Sequence, residues 1–176
     1  MIKSQPIKSV DDIQSIKSYF LKERTRDYLL FLLGINVPLK LQDILSLKVE
    51  DLMKYNSNYI FKIQGYTIYL NPEDSTILDT YIKEKSSGDY IFESIKTKSP
   101  MTRQQFHRIL NAAADAIGCE YSIGPQALKK TFAYHAYLQG VHIYDLMHLL
   151  GHQTKAETYR FIDVLPPDNK RIEIKI

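Results

Sequence analysis

Apolar residues recur at helical spacing through most of the chain. In segment 9–22, Ser9 can cap a helix, Asp11 and Asp12 suit its first turn, and the apolar side chains share one face (Ile13, Ile16, Tyr19 and Phe20). The same reasoning predicts a second helix that ends near Gly34. With this second helix included, the pattern predicts helices after the first over about 25–33, 39–47, 71–85, 102–117, 125–139, 141–150 and 154–162.

Four short segments depart from the helical pattern and predict strands or extended chain. YIFKI (59–63) and YTIYL (66–70) flank Gly65, an arrangement typical of a β-hairpin. YIFES (90–94) predicts a brief extended stretch, and RIEIKI (171–176) alternates charge and isoleucine as an edge strand does. The chain is therefore predicted to be α+β and mostly helical, with one small antiparallel sheet.

Length and composition indicate one ordinary globular domain. The 176 residues predict a single domain over 1–176, with 163–176 as a C-terminal tail after the last helix. A single cysteine, Cys119, excludes an intramolecular disulfide, and no run approaches the roughly 18 apolar residues of a membrane span. We expect a cytoplasmic protein that does not enter membranes. The net charge of +3 permits nucleic-acid binding without requiring it.

No cofactor or metal is indicated by the sequence. It contains no Gly-rich phosphate loop and no Ser/His/Asp order typical of a hydrolase. Four histidines lack companions at metal-ligand spacing and are interpreted as surface or core residues: His107, His135, His142 and His148. We therefore predict no cofactor.

Two segments, in order along the chain, carry a family resemblance. GINVPLKLQDILSLKVEDL (34–52) is similar to the first conserved box of the tyrosine recombinases, or phage integrases, at Asp43, Leu45, Leu47 and Asp51. IGPQALKKTFAYHAYLQGVHIYDLMHLLGHQTKAETYRFI (123–162) resembles the second box at Leu128, Thr131, Phe132, Gly140, Leu150, Gly151, His152 and Thr158. The resemblance spans about residues 20–165 and implies the catalytic-domain fold of that family.

The resemblance also implies where the chemistry of the family would lie. In that family two arginines hold the scissile phosphate, histidines and a hairpin lysine move protons, and a tyrosine attacks the phosphorus. The matching positions here are Lys40 and Lys129 for the arginines, Gln126 and His152 for histidines, and Phe161 for the tyrosine. Lys62 is the nearest counterpart of the hairpin lysine.

These replacements favour binding DNA over cutting it. Lysine keeps the positive charge of arginine but loses its bidentate fork. Gln126 cannot move a proton near pH 7, and Phe161 has no oxygen with which to attack phosphorus. We predict a protein that binds double-stranded DNA, is linked to integration or recombination, and is deficient in strand cleavage. Its predicted phosphate-binding residues are Lys40, Lys129, Lys130 and His152.

Two alternatives stay open at the level of the sequence. Tyr159 is a fallback nucleophile for an active minimal recombinase, although two residues correspond to about 200° around a helix and should turn it away from the side that Phe161 faces. A protein-interaction module that no longer binds DNA is the second alternative. The resemblance also implies a mobile-element or phage origin, and a tail that pairs with another copy or with an active recombinase.

Overall fold

Residues 4–167 and 172–176 are described by the computed structural model. Within them a short 3-10 helix, Val49–Asp51, precedes the sheet. The elements are α1 (Val10–Glu23), α2 (Thr25–Asn36), α3 (Leu41–Leu45), β1 (Met53–Tyr55), β2 (Asn58–Ile63), β3 (Tyr66–Tyr69), α4 (Pro72–Ile82), α5 (Arg103–Ala116), α6 (Gln126–Leu138), α7 (Ile143–Leu150) and α8 (Lys155–Phe161). The mostly helical α+β fold with a small antiparallel sheet is confirmed.

Side-chain caps determine where several helices begin. The Ser9 hydroxyl accepts a hydrogen bond from the Asp12 N–H at the start of α1. Asn71 accepts one from the Asp74 N–H at the start of α4, where Pro72 occupies the first helical position. Both starts were predicted from local sequence, because an N-cap satisfies backbone N–H groups that lack a partner within the helix.

The predicted helix end near Gly34 is wrong. Helix α2 continues to Asn36, and Gly34 is buried inside it. A Cβ atom at Gly34 would lie 2.5 Å from Leu128 Cδ1 and 3.2 Å from Leu128 Cβ. The absence of a side chain at Gly34 therefore allows α2 and α6 to approach each other closely. This approach brings the start of α6 beside the α2–α3 connection.

Replacing Gly34 by valine is expected to lower the free energy of unfolding by about 1–3 kcal/mol, the usual effect of overpacking a core. The added Cβ atom and its two methyl groups must displace Leu128, whose atoms already occupy the space. Urea unfolding at equilibrium would measure the change. Gly88→Ala is the matched control, because a Cβ atom there meets nothing within 4 Å. Equal stability of Gly34→Val and the wild type would contradict the proposed packing role.

The sheet has the strand order β1-β2-β3 and is antiparallel throughout. Two-residue turns join its strands, and positive φ angles at Asn56, Ser57, Gln64 and Gly65 match the tight turns favoured in hairpins. The predicted hairpin is confirmed, whereas the three-residue β1 was not predicted. Segment 90–94 forms only isolated bridges, from Tyr90 to Lys48 and from Glu93 to Pro100.

The C-terminal segment does not form the predicted strand in the monomer. Residues 172–176 are not assigned to a strand, and the isoleucines at 172, 174 and 176 are exposed. Arg171, the first residue of that prediction, lies outside the described residues. No helix in the described part of the chain is long and apolar enough to span a bilayer.

Two groups of buried apolar residues meet along α6. The larger joins α1, α2, the sheet, α4 and α5, and its fully buried aromatic residues are Phe20, Phe31, Phe92 and Phe106. The smaller consists of Ala133, Ile143, Tyr159 and Ile162 with their neighbours. Leu128 belongs to the larger group and Ala133 to the smaller, so α6 connects both. Its first turn is thereby held between α2, α3 and the end of α8.

Candidate functional site

A basic cleft of about 740 Å³ opens where the starts of α3, α5 and α6 meet the end of α8. Five of the positions singled out in the sequence line it: Lys40, Gln126, Lys129, Lys130 and Phe161. Arg103 lines it as well. Among the described residues that line the cleft there is no carboxylate, so its positive charge is not neutralised from within.

Lys40 and Lys129 are close enough to influence each other electrostatically. Lys40 is exposed at the N-cap of α3, and Lys129 is half-buried on α6. Burial lowers the pKa of Lys129 and the positive charge of Lys40 lowers it further, while Asp43 raises it. Neither lysine takes part in the salt bridges found among the described residues. The attraction of a bound anion would offset both the desolvation cost and the repulsion between the two ammonium groups.

Lys129→Met is expected to raise the midpoint of thermal unfolding by about 1–3 °C, the shift that half to one kcal/mol produces in a domain of this size. The substitution removes a half-buried ammonium group and its repulsion from Lys40. Thermal unfolding followed by circular dichroism, without DNA, would measure it. Lys96→Met, an exposed loop position, should leave the midpoint unchanged. A lower midpoint for Lys129→Met would mean that the ammonium group stabilises the fold.

His152 lies beside the cleft and contacts it through Phe161. Gly151 adopts a left-handed conformation with φ of 72° at the end of α7, and this turn directs the chain from α7 toward α8. His152 Nδ1 is 2.9 Å from the hydroxyl oxygen of Thr158, and its ring meets the Phe161 ring edge-on at 5.1 Å. Burial lowers the pKa of His152, Lys129 lowers it further, and Glu157 raises it.

The lowered pKa of His152 predicts a pH dependence of stability. Below pH 6.5, its usual pKa, the unfolded chain takes up the proton before the folded one does. Above pH 6.5 the titration of His152 therefore does not change the free energy of unfolding. As the pH falls from 6.5 toward the pKa of the folded state, the titration of His152 lowers that free energy. His152→Gln should flatten this decline in urea unfolding series. An NMR titration that placed the imidazole pKa at or above 6.5 would contradict the assignment.

Phe161 occupies the cleft at the position that the resemblance assigns to the attacking tyrosine. The Lys130 ammonium group lies 5.5 Å from the centre of the Phe161 ring and donates a hydrogen bond of 2.8 Å to the Ser4 carbonyl. The ring is thus in contact with His152 and Lys130. This part of the cleft contains an aromatic surface and positive charge, but Phe161 brings no hydroxyl to it.

Tyr159 faces a different part of the molecule. Only 8% of its surface is exposed, and its ring packs edge-on against Tyr137 at 5.9 Å in the smaller buried group. It is not among the described residues that line the cleft. Lys62 is exposed on β2 and is also absent from that lining. The nearby hairpin instead contacts α7, since the Tyr66 hydroxyl donates a hydrogen bond of 2.9 Å to Asp145.

Arg103 was missed by the sequence analysis. The Thr102 and Gln105 side chains form a capping box that is readable in the sequence and fixes Arg103 as the first residue of α5. No spacing rule, however, relates residue 103 to residue 40. Only the packing of helices brings this guanidinium group to the same cleft as the lysines.

Comparison with known proteins agrees with this geometry. A model described as the phage integrase family matches residues 9–166. The chain is 36% identical over 178 residues to the probable integrase/recombinase YoeC of Bacillus subtilis (strain 168), covering 98% of this chain and 96% of that protein. It spans little more than half the length of several tyrosine recombinases that it also matches, with 54–57% of each covered.

Solved structures share the fold at low sequence identity. The crystal structure of XerA recombinase superposes with a TM-score of 0.74 at 18% identity, covering 92% of this chain and 60% of that one. The XerH site-specific recombinase bound to its palindromic difH substrate gives 0.72 at 17% identity, covering 92% of this chain and 50% of that one. These similarities identify the fold as that of a tyrosine recombinase catalytic domain.

Proposed function

The chain belongs to the phage integrase family, and on that premise we propose that it binds double-stranded DNA in the basic cleft without cleaving it. Its role would lie in DNA integration or recombination, as occupant of a recombination-like site or as partner of an active recombinase. We also propose a mobile-element or phage origin, which the family resemblance supports, and a cytoplasmic location, which fits both DNA as partner and the free Cys119.

The charge of the cleft supports DNA as the ligand. Lys40, Lys129 and Lys130 line a surface on which the described residues offer no carboxylate. Cations that neutralise phosphates release condensed counterions from DNA, which makes binding favourable and dependent on salt. The lowered pKa of Lys129, caused by burial and by the charge of Lys40, is consistent with this proposal, because a phosphate beside Lys129 would favour its charged form.

The absence of cleavage is supported by the aromatic residue in the cleft. Phe161 lines the cleft at the position that the resemblance assigns to the nucleophile, and a phenyl ring cannot form a bond to phosphorus. Tyr159, which offers the nearest hydroxyl in sequence, packs against Tyr137 outside the cleft. This placement argues against the alternative of an active minimal recombinase, and it is the observation that carries the proposal.

Binding to duplex DNA tests the proposal most directly. Fluorescence anisotropy with a labelled duplex of about 25 base pairs should give binding at low salt that weakens steeply as salt is added, with a logarithmic slope near −0.9 for each phosphate neutralised. Absence of binding at about 50 mM salt would defeat the proposal. It would favour the alternative of a protein-interaction module.

We further propose that the C-terminal segment docks on another copy or on an active recombinase. The alternating exposed isoleucines at 172, 174 and 176 would bury an apolar face by adding a strand to a partner. Ile174→Glu should abolish any self-association seen by light scattering or any complex with a family member. Unchanged association would refute this role of the segment.

A further inference from the structure

Among the described residues, Arg103 has no structural partner that accounts for its position. It is exposed at the first position of α5 and lines the same cleft as Lys40 and Lys129. In the part of the chain that the structure describes, no hydrogen bond, salt bridge or ring contact of its side chain is found. Its guanidinium group is therefore available to a ligand in the cleft.

The position is also unfavourable for the helix itself. Cations near a helix N-terminus oppose the helix dipole, which favours acidic residues there. The first turn of α5 contains no acidic residue that would offset this charge. The start of the helix is instead stabilised by the Thr102–Gln105 capping box, which does not need Arg103. Folding alone does not explain an arginine at this position.

A second cleft, of about 840 Å³, shares Ser4 and Gln126 with the basic cleft but differs in charge. It is lined by three carboxylates, Asp12, Glu120 and Asp163, and Lys8 within it is already paired with Asp163. A polyanion is repelled there and attracted on the side of Arg103. The charge pattern thus separates the two clefts and selects the basic one for a phosphate backbone.

We propose that Arg103 is a DNA phosphate-binding residue that supplies the guanidinium fork absent from positions 40 and 129. This inference rests on the proposed DNA binding and deepens it. Lys40 and Lys129 offer point charges, which attract a phosphate without fixing its orientation. Arginine donates two parallel hydrogen bonds to one phosphate and so fixes the register of the strand in the cleft.

Salt-dependent anisotropy with a 25-base-pair duplex separates the charge of Arg103 from its geometry. Arg103→Ala should weaken binding about tenfold or more and reduce the salt slope by about one. Arg103→Lys should keep the wild-type slope but bind several-fold more weakly, because charge remains and the fork is lost. Arg108→Ala is the matched control, since Arg108 is on the same helix and lines a different surface, with Arg26 and Ser94.

The possible results are distinguishable. If the wild type binds and Arg103→Ala keeps its affinity within twofold and its slope, the assignment of Arg103 is overturned while the proposed DNA binding stands. An equal loss in Arg108→Ala would also overturn it, since the effect would then follow net charge. Failure of the wild type to bind would overturn both. Unchanged thermal unfolding of Arg103→Ala would show that its weaker binding does not come from misfolding.

Discussion

Replacing both Lys40 and Lys129 by methionine is expected to weaken duplex DNA binding by at least about a hundredfold at 0.1 M salt, the lower bound set by about 1.5–3 kcal/mol for each charge-assisted contact. Both side chains line the cleft, and Lys129 experiences the charge of Lys40. The salt slope should fall by about two, because two phosphates are no longer neutralised. Anisotropy titrations at several salt concentrations measure affinity and slope together.

The control for this experiment removes the same charge elsewhere. Lys83→Met/Lys96→Met changes two exposed lysines that do not line the cleft, and it should weaken binding only slightly. Equal losses in the two double variants would mean that net charge, and not the cleft, determines affinity. The Lys129→Met single variant provides a second test, because it should bind DNA less tightly and yet unfold at a higher temperature.

Such opposite effects on binding and stability are characteristic of functional positions. A half-buried ammonium group whose pKa is lowered by burial and by another cation is expected to destabilise the folded chain, and the packing of the core would offset that cost. Arg103 at the N-terminus of α5 shows the same conflict with local electrostatics. Where sequence rules for folding are broken without a structural gain, a ligand explains the residue better than packing does.

Features governed by neighbours in sequence could be predicted. The starts of α1 and α4 follow from Ser9 and Asn71, whose caps act within three residues. The hairpin follows from Gly65 between two apolar runs. The placement of Tyr159 on the side away from Phe161 agrees with the expected rotation of about 200° on a helix.

Features that depend on packing between distant elements could not be predicted. Gly34 was predicted to mark a helix end. Its contact with Leu128, which explains the glycine, depends on packing between helices and cannot be seen in the sequence. Strand β1 has three exposed residues and no apolar alternation of its own, so it forms only because β2 supplies a partner. Arg103 joins Lys40 and Lys129 through three separate helices, and the resemblance offered no reason to select it.

The wild-type chain is expected to form no covalent adduct with DNA. The probe is a pool of duplexes with a nick at a fixed position and randomised sequence on both sides, so that a cleaving enzyme would be trapped whatever site it prefers. Loss of a nucleophile typically lowers catalysis by several orders of magnitude, and Phe161 supplies no oxygen. Adducts resistant to denaturing gel electrophoresis are the measurement, and Tyr159→Phe should be indistinguishable from the wild type.

The informative counterpart restores the tyrosine and the two arginines and leaves Gln126 unchanged. Phe161→Tyr combined with Lys40→Arg and Lys129→Arg places a hydroxyl beside His152 and two guanidinium forks in the cleft. This variant should form an adduct, because a tyrosine oxygen can attack the phosphorus of an intact phosphodiester near the nick and displace the 5′ oxygen. The short strand between that phosphodiester and the nick then leaves with a free 5′ hydroxyl, and the adduct is trapped. An adduct formed by the wild type and lost in Tyr159→Phe would instead make the protein a recombinase with a displaced nucleophile. That result requires Tyr159 to leave its contact with Tyr137, so it would also require α8 to rearrange on DNA.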